Sequence, residues 1–437
     1  MTSTLLYLLG IVLLLIGVGV SIALHELGHL WPAKAFKVPV SKYMIGFGPT
    51  LFSRKRGETE YGIKLFPLGG YIAMAGMVPP GDNKPPKSKL QRWIADGRRN
   101  QQLADGSYDE SRAFYRLPVL KRMVIMLGGP FANLVLGLLL VVVALSGVGS
   151  YAATTTIEKV MPCVRDYEPK VTDCLNGDIP SPAIRDGLQA RDQVVAVNGS
   201  PIDKWSQVQA AIDSATGKSI VFSVERSGKL SDVSVTPARL WRPVIDKKTF
   251  DYAVDADGKQ IYRKANVIGV QVQFGRVHLS VGDSLSSSAG YLLGTGEMVL
   301  QLPQKIGEVA TATFGSGQRP LDAPVSIVGV GNIAGNIASS SDMDLAGKFQ
   351  SGLLMLGSLN FALFVFNLIP LLPLDGGHVL NALYEGVKRT AFKLIRKRDP
   401  GPFDTAKLMP FTTVMWFVLL GLGVFMMFAD VVKPVTI

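Results

Sequence analysis

His25, Glu26 and His29 have the residue types and spacing to carry chemistry. On a helix, positions four apart project from one face, so two imidazoles can grip a single metal ion while Glu26 stands beside it as a base. Such a set could hydrolyse an acyl bond, the metal polarising the carbonyl and the carboxylate taking a proton from water. The element that must hold it is unusual. Residues 5–24 carry no charge and are long enough for a membrane-crossing helix of about 20 residues. Two histidines and a glutamate at the end of such a helix are costly to bury, and persist mainly where they coordinate or relay something.

The remaining composition agrees with a membrane setting. Of 437 residues 48% are hydrophobic, and mean hydropathy is +0.27, too apolar for an ordinary soluble chain. A net charge of +11 could suggest nucleic acid, but the basic residues flank apolar runs and are not interleaved with aromatics, so no nucleic-acid partner is expected. The N-terminal run lacks a basic start and a small-residue cleavage site, and reads as a retained first span, 1–30. Further transmembrane helices are expected within 123–150, 351–378 and 409–430. Lys and Arg crowd the segments after spans one and three, from Lys34 to Arg122 and from Lys388 to Arg398. These segments should face the cytoplasm, leaving both termini and the large segment between spans two and three outside. Cys163 and Cys174 fall in that outer segment, where a disulfide between them is permitted.

Between the spans, 31–122 should hold membrane-associated β-hairpins and a cytoplasmic loop. Gly46 to Pro49 is turn chemistry, residues 52–61 form a charged tip, and 63–77 is apolar with glycines. Strand backbone at membrane depth must be sheltered or line a wet cavity, which places the hairpins beside the metal, where an edge could accept an extended peptide. Residues 80–118 read as loop with one short helix at most, and Gly128, Gly129, Pro130 and Asn133 as helix-packing residues. Residues 155–275 switch to short β-branched runs with turns, around a helical stretch at 205–215. Residues 276–350 are expected as juxtamembrane helices outside, and 379–408 as a basic cytoplasmic loop. The fold class is therefore a polytopic α-helical membrane protein of four transmembrane helices, with a membrane-associated β-hairpin region and an extracytoplasmic β-rich α+β domain.

A third metal ligand could be Asp375 or His378, spaced so that both can face one side of a helix beginning there. Spacing does not choose between them. A carboxylate would offset part of the metal charge, which matters more in a low-dielectric setting.

Residues 187–199, ending in Val194-Val195-Ala196-Val197-Asn198-Gly199, resemble the bacterial PDZ pattern, with Arg191 where that family usually has glycine. That departure predicts an altered local turn. With it, His25-Glu26-x-x-His29, Gly46-Phe47-Gly48-Pro49, Gly69-Gly70-Tyr71, Gly129-Pro130-x-x-Asn133 and Asn367-x-x-Pro370-x-x-x-x-Asp375-Gly376 together resemble the site-2 proteases, and the single outer PDZ domain makes the chain similar to RseP-type bacterial members. The resemblance implies a zinc endopeptidase of the bacterial cytoplasmic membrane that cuts spans of single-pass proteins, such as trimmed anti-sigma factors or remnant signal peptides. It implies one Zn2+ per chain held by His25, His29 and Asp375, Glu26 as catalytic base, and Asn367, Gly70 and Tyr71 as substrate-positioning residues, with the site toward the cytoplasmic side. The rival from another class is a non-catalytic membrane PDZ peptide receptor with a structural metal. An intact Glu26 argues against it, since a structural zinc needs no base and usually has a fourth protein ligand. A transporter is weaker still, with no inverted repeat evident.

Overall fold

The uncharged N-terminal run folds as one helix, α1 (Ser3–Ala35). In this computed structural model the described residues are 3–81, 86–167, 174–245, 252–255, 257–315, 317, 319–320 and 322–435. The chain forms two units, Met1–Val148 with Leu279–Ile437, and Gly149–His278. After α1 come two long strands, β1 (Val40–Arg56) and β2 (Thr59–Met74). They make one folded hairpin in which the start of β1 is paired twice. Tyr43, Met44 and Ile45 face Tyr61, Gly62 and Ile63 on one side and Ile72, Tyr71 and Gly70 on the other. The end of β2 is thus an outer segment with a free edge among the described residues. Helix α2 (Lys89–Asp105) and two short 3-10 turns follow, so 80–118 is more helical than the loop expected. Its Lys/Arg/Gln-rich sequence has high helix propensity and a Ser88 side-chain cap on Gln91 N.

Helix α3 (Val119–Val142) runs on through a π-helical turn to Val148. It crosses α1 at Gly28 and Gly128, where a Cβ on either residue would collide with the other's carbonyl oxygen. Below the crossing Leu30, Ala33, Val40, Met74, Ile125 and Met126 form a buried cluster that ties α1, the hairpin and α3 together.

The second unit is an antiparallel sheet in the order Val270–Val277, Ser150–Val160, Gln193–Val197, Ile220–Arg226, Lys229–Val235. Helices α4 (Pro182–Arg185) and α5 (Trp205–Ser214) accompany it, and Ile157, Val194, Val208, Ile220, Phe222 and Val235 make its core. Cys163 and Cys174 are joined by a disulfide, with Cα atoms 6.0 Å apart. Arg191 takes a left-handed backbone, φ 71°, at a cost of about 1–2 kcal/mol. Its N–H donates to Ile157 O at 2.7 Å, and the next side chain, fully buried Asp192, accepts Gln189 N at 2.8 Å and pairs with Arg226 at 2.7 Å.

The chain re-enters the first unit at Leu279, whose N–H donates to Leu145 O at 3.1 Å. Helices α6 (Val281–Leu300), α7 (Leu302–Phe314) and α8 (Ile327–Ser339) follow. Helix α9 (Leu345–Leu368) packs on α1 and α3, and fully buried Asn360 donates to Ser21 Oγ of α1 at 2.9 Å. The span expected as 351–378 is not one helix. It stops at Leu368 because Ile369, preceding Pro370, is driven out of the helical region, and a six-residue bend leads to α10 (Asp375–Leu394). Nor is 379–408 a loop throughout, since α10 occupies its first half. Gly376 and Gly377 let this helix start against the bend, where a Cβ would strike backbone of residues 368–372. Helix α11 (Met409–Val432) ends the chain. Four helical stretches among the described residues, Ser3–Ala35, Val119–Val148, Leu345–Leu368 and Thr405–Val432, are long and apolar enough to cross a membrane.

Candidate active site

The ligand atoms of His25, His29 and Asp375 converge. His25 Nε2 and His29 Nε2 lie 3.2 Å apart, and Asp375 Oδ2 lies 3.4 Å from the first and 3.3 Å from the second. A tetrahedral ion with bonds of about 2.0–2.1 Å spaces its ligands by about 3.3 Å, so this triangle is the size one zinc requires. Asp375 Oδ2 is buried and has no hydrogen-bond partner, as a carboxylate oxygen reserved for a metal ion would be. The donor set, two imidazoles and a carboxylate, fits a site that keeps a position open for water or substrate.

Each ligand is oriented by a different element. His29 Nδ1 is 2.7 Å from Ile125 O of α3, an acceptor only, so Nδ1 carries the proton and Nε2 presents its lone pair to the site. The fully buried Asn133 sits with its amide Nδ2 3.0 Å from His25 Nδ1 and its Oδ1 without a partner; the amide turned over puts the oxygen on the ring, where it accepts the Nδ1 proton and frees Nε2 in the same way. Gly129 leaves room for His29, because a Cβ there would lie 2.6 Å from ring Cε1 and 2.7 Å from Cδ2. Asp375 is the first residue of α10, and that helix is fixed ten residues on by Glu385. The Glu385 carboxylate receives Arg122 of α3 at 2.7 Å, Arg389 at 3.2 Å and Phe403 N at 2.9 Å.

Glu26 is buried on α1 between the two histidines in sequence, and Gly70 of the hairpin's free edge abuts it; a Cβ at Gly70 would lie 2.9 Å from Glu26 Cγ. Tyr71, next along that edge, stacks with Phe47 at 6.5 Å. His378 is not brought to the triad. It lines a small cavity with Met77, Asn381, Glu385 and Thr405. Asn367 lies one residue before the end of α9, its amide donating to Leu363 O at 3.0 Å. Sequence reasoning took Asn133 and Gly129 as packing residues and missed what they do for the histidines. The usable signal for Asn133 was a polar amide inside a span.

A chain with four membrane-length helices, and a converging triad beside a carboxylate where two of them cross, has the build of an intramembrane metallopeptidase. Residues 13–397 match Peptidase family M50. The chain is 31% identical to the zinc metalloprotease Rip1 of Mycolicibacterium smegmatis over 98% of each chain, and 29% identical to Rip1 of Mycobacterium tuberculosis over 98% of this chain and 99% of that one. It is 26% identical to the metalloprotease MmpA of Caulobacter vibrioides over 88% of each. This chain belongs to peptidase family M50, the site-2 proteases. It is an integral membrane metalloprotease acting on membrane-embedded substrates, and so not the non-catalytic receptor of the rival reading.

Proposed function

We propose that His25, His29 and Asp375 hold one zinc ion per chain, and that Glu26 is the catalytic base of an endopeptidase cutting the spans of single-pass membrane proteins. The convergence of the three ligand atoms next to Glu26 carries this reading. Zinc bound there supplies Lewis acidity to the scissile carbonyl and the attacking water. Glu26 accepts the proton of that water and passes it to the leaving amine. Ile125 O holds the Nδ1 proton of His29 and Asn133 abuts Nδ1 of His25, so both rings turn Nε2 inward. A helical substrate hides its carbonyls in its own hydrogen bonds and must unwind to react. The free edge at Gly70 and Tyr71 pairs with the unwound strand by β-augmentation, with Asn367 positioning it from α9. Substrates of this class include anti-sigma-factor-like proteins already trimmed outside, and signal-peptide remnants. The location proposed is a bacterial cytoplasmic membrane, and the distribution of Lys and Arg supports an orientation with both termini and the second unit, read as a PDZ domain, outside, and the site toward the cytoplasm.

The test is cleavage of a panel of single-pass model substrates by the purified, zinc-loaded protein and by Glu26→Gln. The amide keeps the volume but cannot take a proton, so the rate should fall by about 10²–10⁴-fold or more while zinc stays bound. Cleavage by the variant at the native rate would sink the assignment.

A further inference from the structure

We propose that α10 is also an anionic-lipid contact, which seats the helix carrying Asp375 on a phospholipid surface. The helix has two unlike faces. Its inner face packs on α3, with Gly386 against Val119 and Glu385 bound to Arg122. Its outer face is apolar and uncovered. Leu380, Leu383, Tyr384, Val387 and Leu394 are all exposed, Val387 at 70% and Leu394 at 78%. At 3.6 residues per turn these five positions fall in one stripe about 100° wide. The stripe points away from the protein.

Charge identifies what covers it. Lys388, Lys393, Arg396, Lys397 and Arg398 are exposed on and just beyond the last turns, and no ion pair involving them occurs among the described residues. Arg389, by contrast, is taken up by Glu385 and Asp399. Five free cations around a wide apolar stripe match an acyl boundary topped by anionic headgroups. Continuity favours the same occupant, because only six residues separate α10 from the membrane-length helix α9, α10 starts at the candidate ligand Asp375, and its basic end lies about 20 residues on. A protein partner would have to match the same cations while standing at the bilayer. Anchoring this helix at a fixed depth holds its first residue at a fixed height beside His25 and His29.

The inference goes beyond the proposed activity and can be tested without proteolysis. Both native cysteines are in the disulfide, so Val387→Cys offers a single thiol for a fluorophore on the full-length protein. Labelled protein is placed in phosphatidylcholine nanodiscs doped at equal fraction with nitroxide-bearing phosphatidylglycerol or nitroxide-bearing phosphatidylcholine. Quenching by the anionic lipid should exceed that by the neutral one by about tenfold; the excess should shrink as salt is raised, and vanish or reverse when Lys388, Lys393, Arg396, Lys397 and Arg398 are all changed to Glu. Equal quenching in the native sequence, or a preference that survives the charge reversal, would overturn the proposal. So would loss of the preference on adding inorganic phosphate at unchanged ionic strength, which would make the cations a free-phosphate site.

Discussion

Replacing Gly129 with alanine should remove the metal without touching a ligand. The new Cβ would enter the space of the His29 ring, 2.6 Å from Cε1, where ordinary contact begins at 3.4 Å. The ring cannot swing away freely, because its Nδ1 is held by Ile125 O at 2.7 Å and its backbone lies in α1, pressed on α3 at Gly28. Relief therefore requires ring or helix to shift by about 1 Å, against a tolerance of about 0.2 Å for metal–ligand distances. Outer-shell changes that leave ligands nearly in place already lower metal affinity about 10–100-fold, so displacing one ligand should exceed 100-fold. Overpacking at the helix crossing should cost about 1–3 kcal/mol of stability, too little to unfold the membrane unit. The assay is zinc affinity by chelator competition on purified protein, with thermal unfolding of the metal-free forms to show the fold survives. Gly19→Ala, on the same helix α1 with nothing within 4 Å of its Cβ, is the control and should bind zinc normally. Gly129→Ala binding zinc with native affinity and cleaving at the native rate would refute the argument that this helix crossing is built around the ring.

Three further outcomes are expected. Asp375→Ala should lose zinc and proteolysis, whereas His378→Ala should keep zinc with a smaller loss of activity; zinc content by atomic absorption separates them, and the reverse result would overturn the ligand set. Burial pushes the Glu385 carboxyl up, but Arg122, the Phe403 N–H and Arg389 outweigh it and hold the group below its ordinary 4.5. A carboxylate with a lowered pKa stabilises the fold above its unfolded value and loses that contribution as pH falls below about 4.5. Melting temperature should therefore drop on acidification more steeply in the native protein than in Glu385→Gln, and parallel curves would show that the latch does not couple to folding. Finally, because Leu279 N bonds Leu145 O, the ends left by excising residues 149–278 already meet. We expect the second unit to exclude substrates with bulky outer domains, so the excised protein should fold and cleave untrimmed ones; an unchanged preference for trimmed substrates in a folded variant would end that idea.

Local sequence alone determined a good deal. Hydropathy set the four spans, because crossing a membrane depends on the length and charge of one contiguous segment. The pairing of His25 with His29 followed from the helical period, and the short β-branched runs announced the sheet of the second unit. The amphipathic α10 escaped, because a search for long apolar runs reads its Leu and Lys positions as a mixed loop. Only the tertiary structure brings Asp375, and not His378, to within 3.4 Å of both histidines some 350 positions away, since that depends on how the bend after Leu368 aims the start of α10. It alone put Asn133 and Ile125 O behind the two imidazoles and Gly129 under His29. Those roles come from the crossing of α1 and α3, where contact is set by packing between helices and no spacing along the chain encodes which atoms meet.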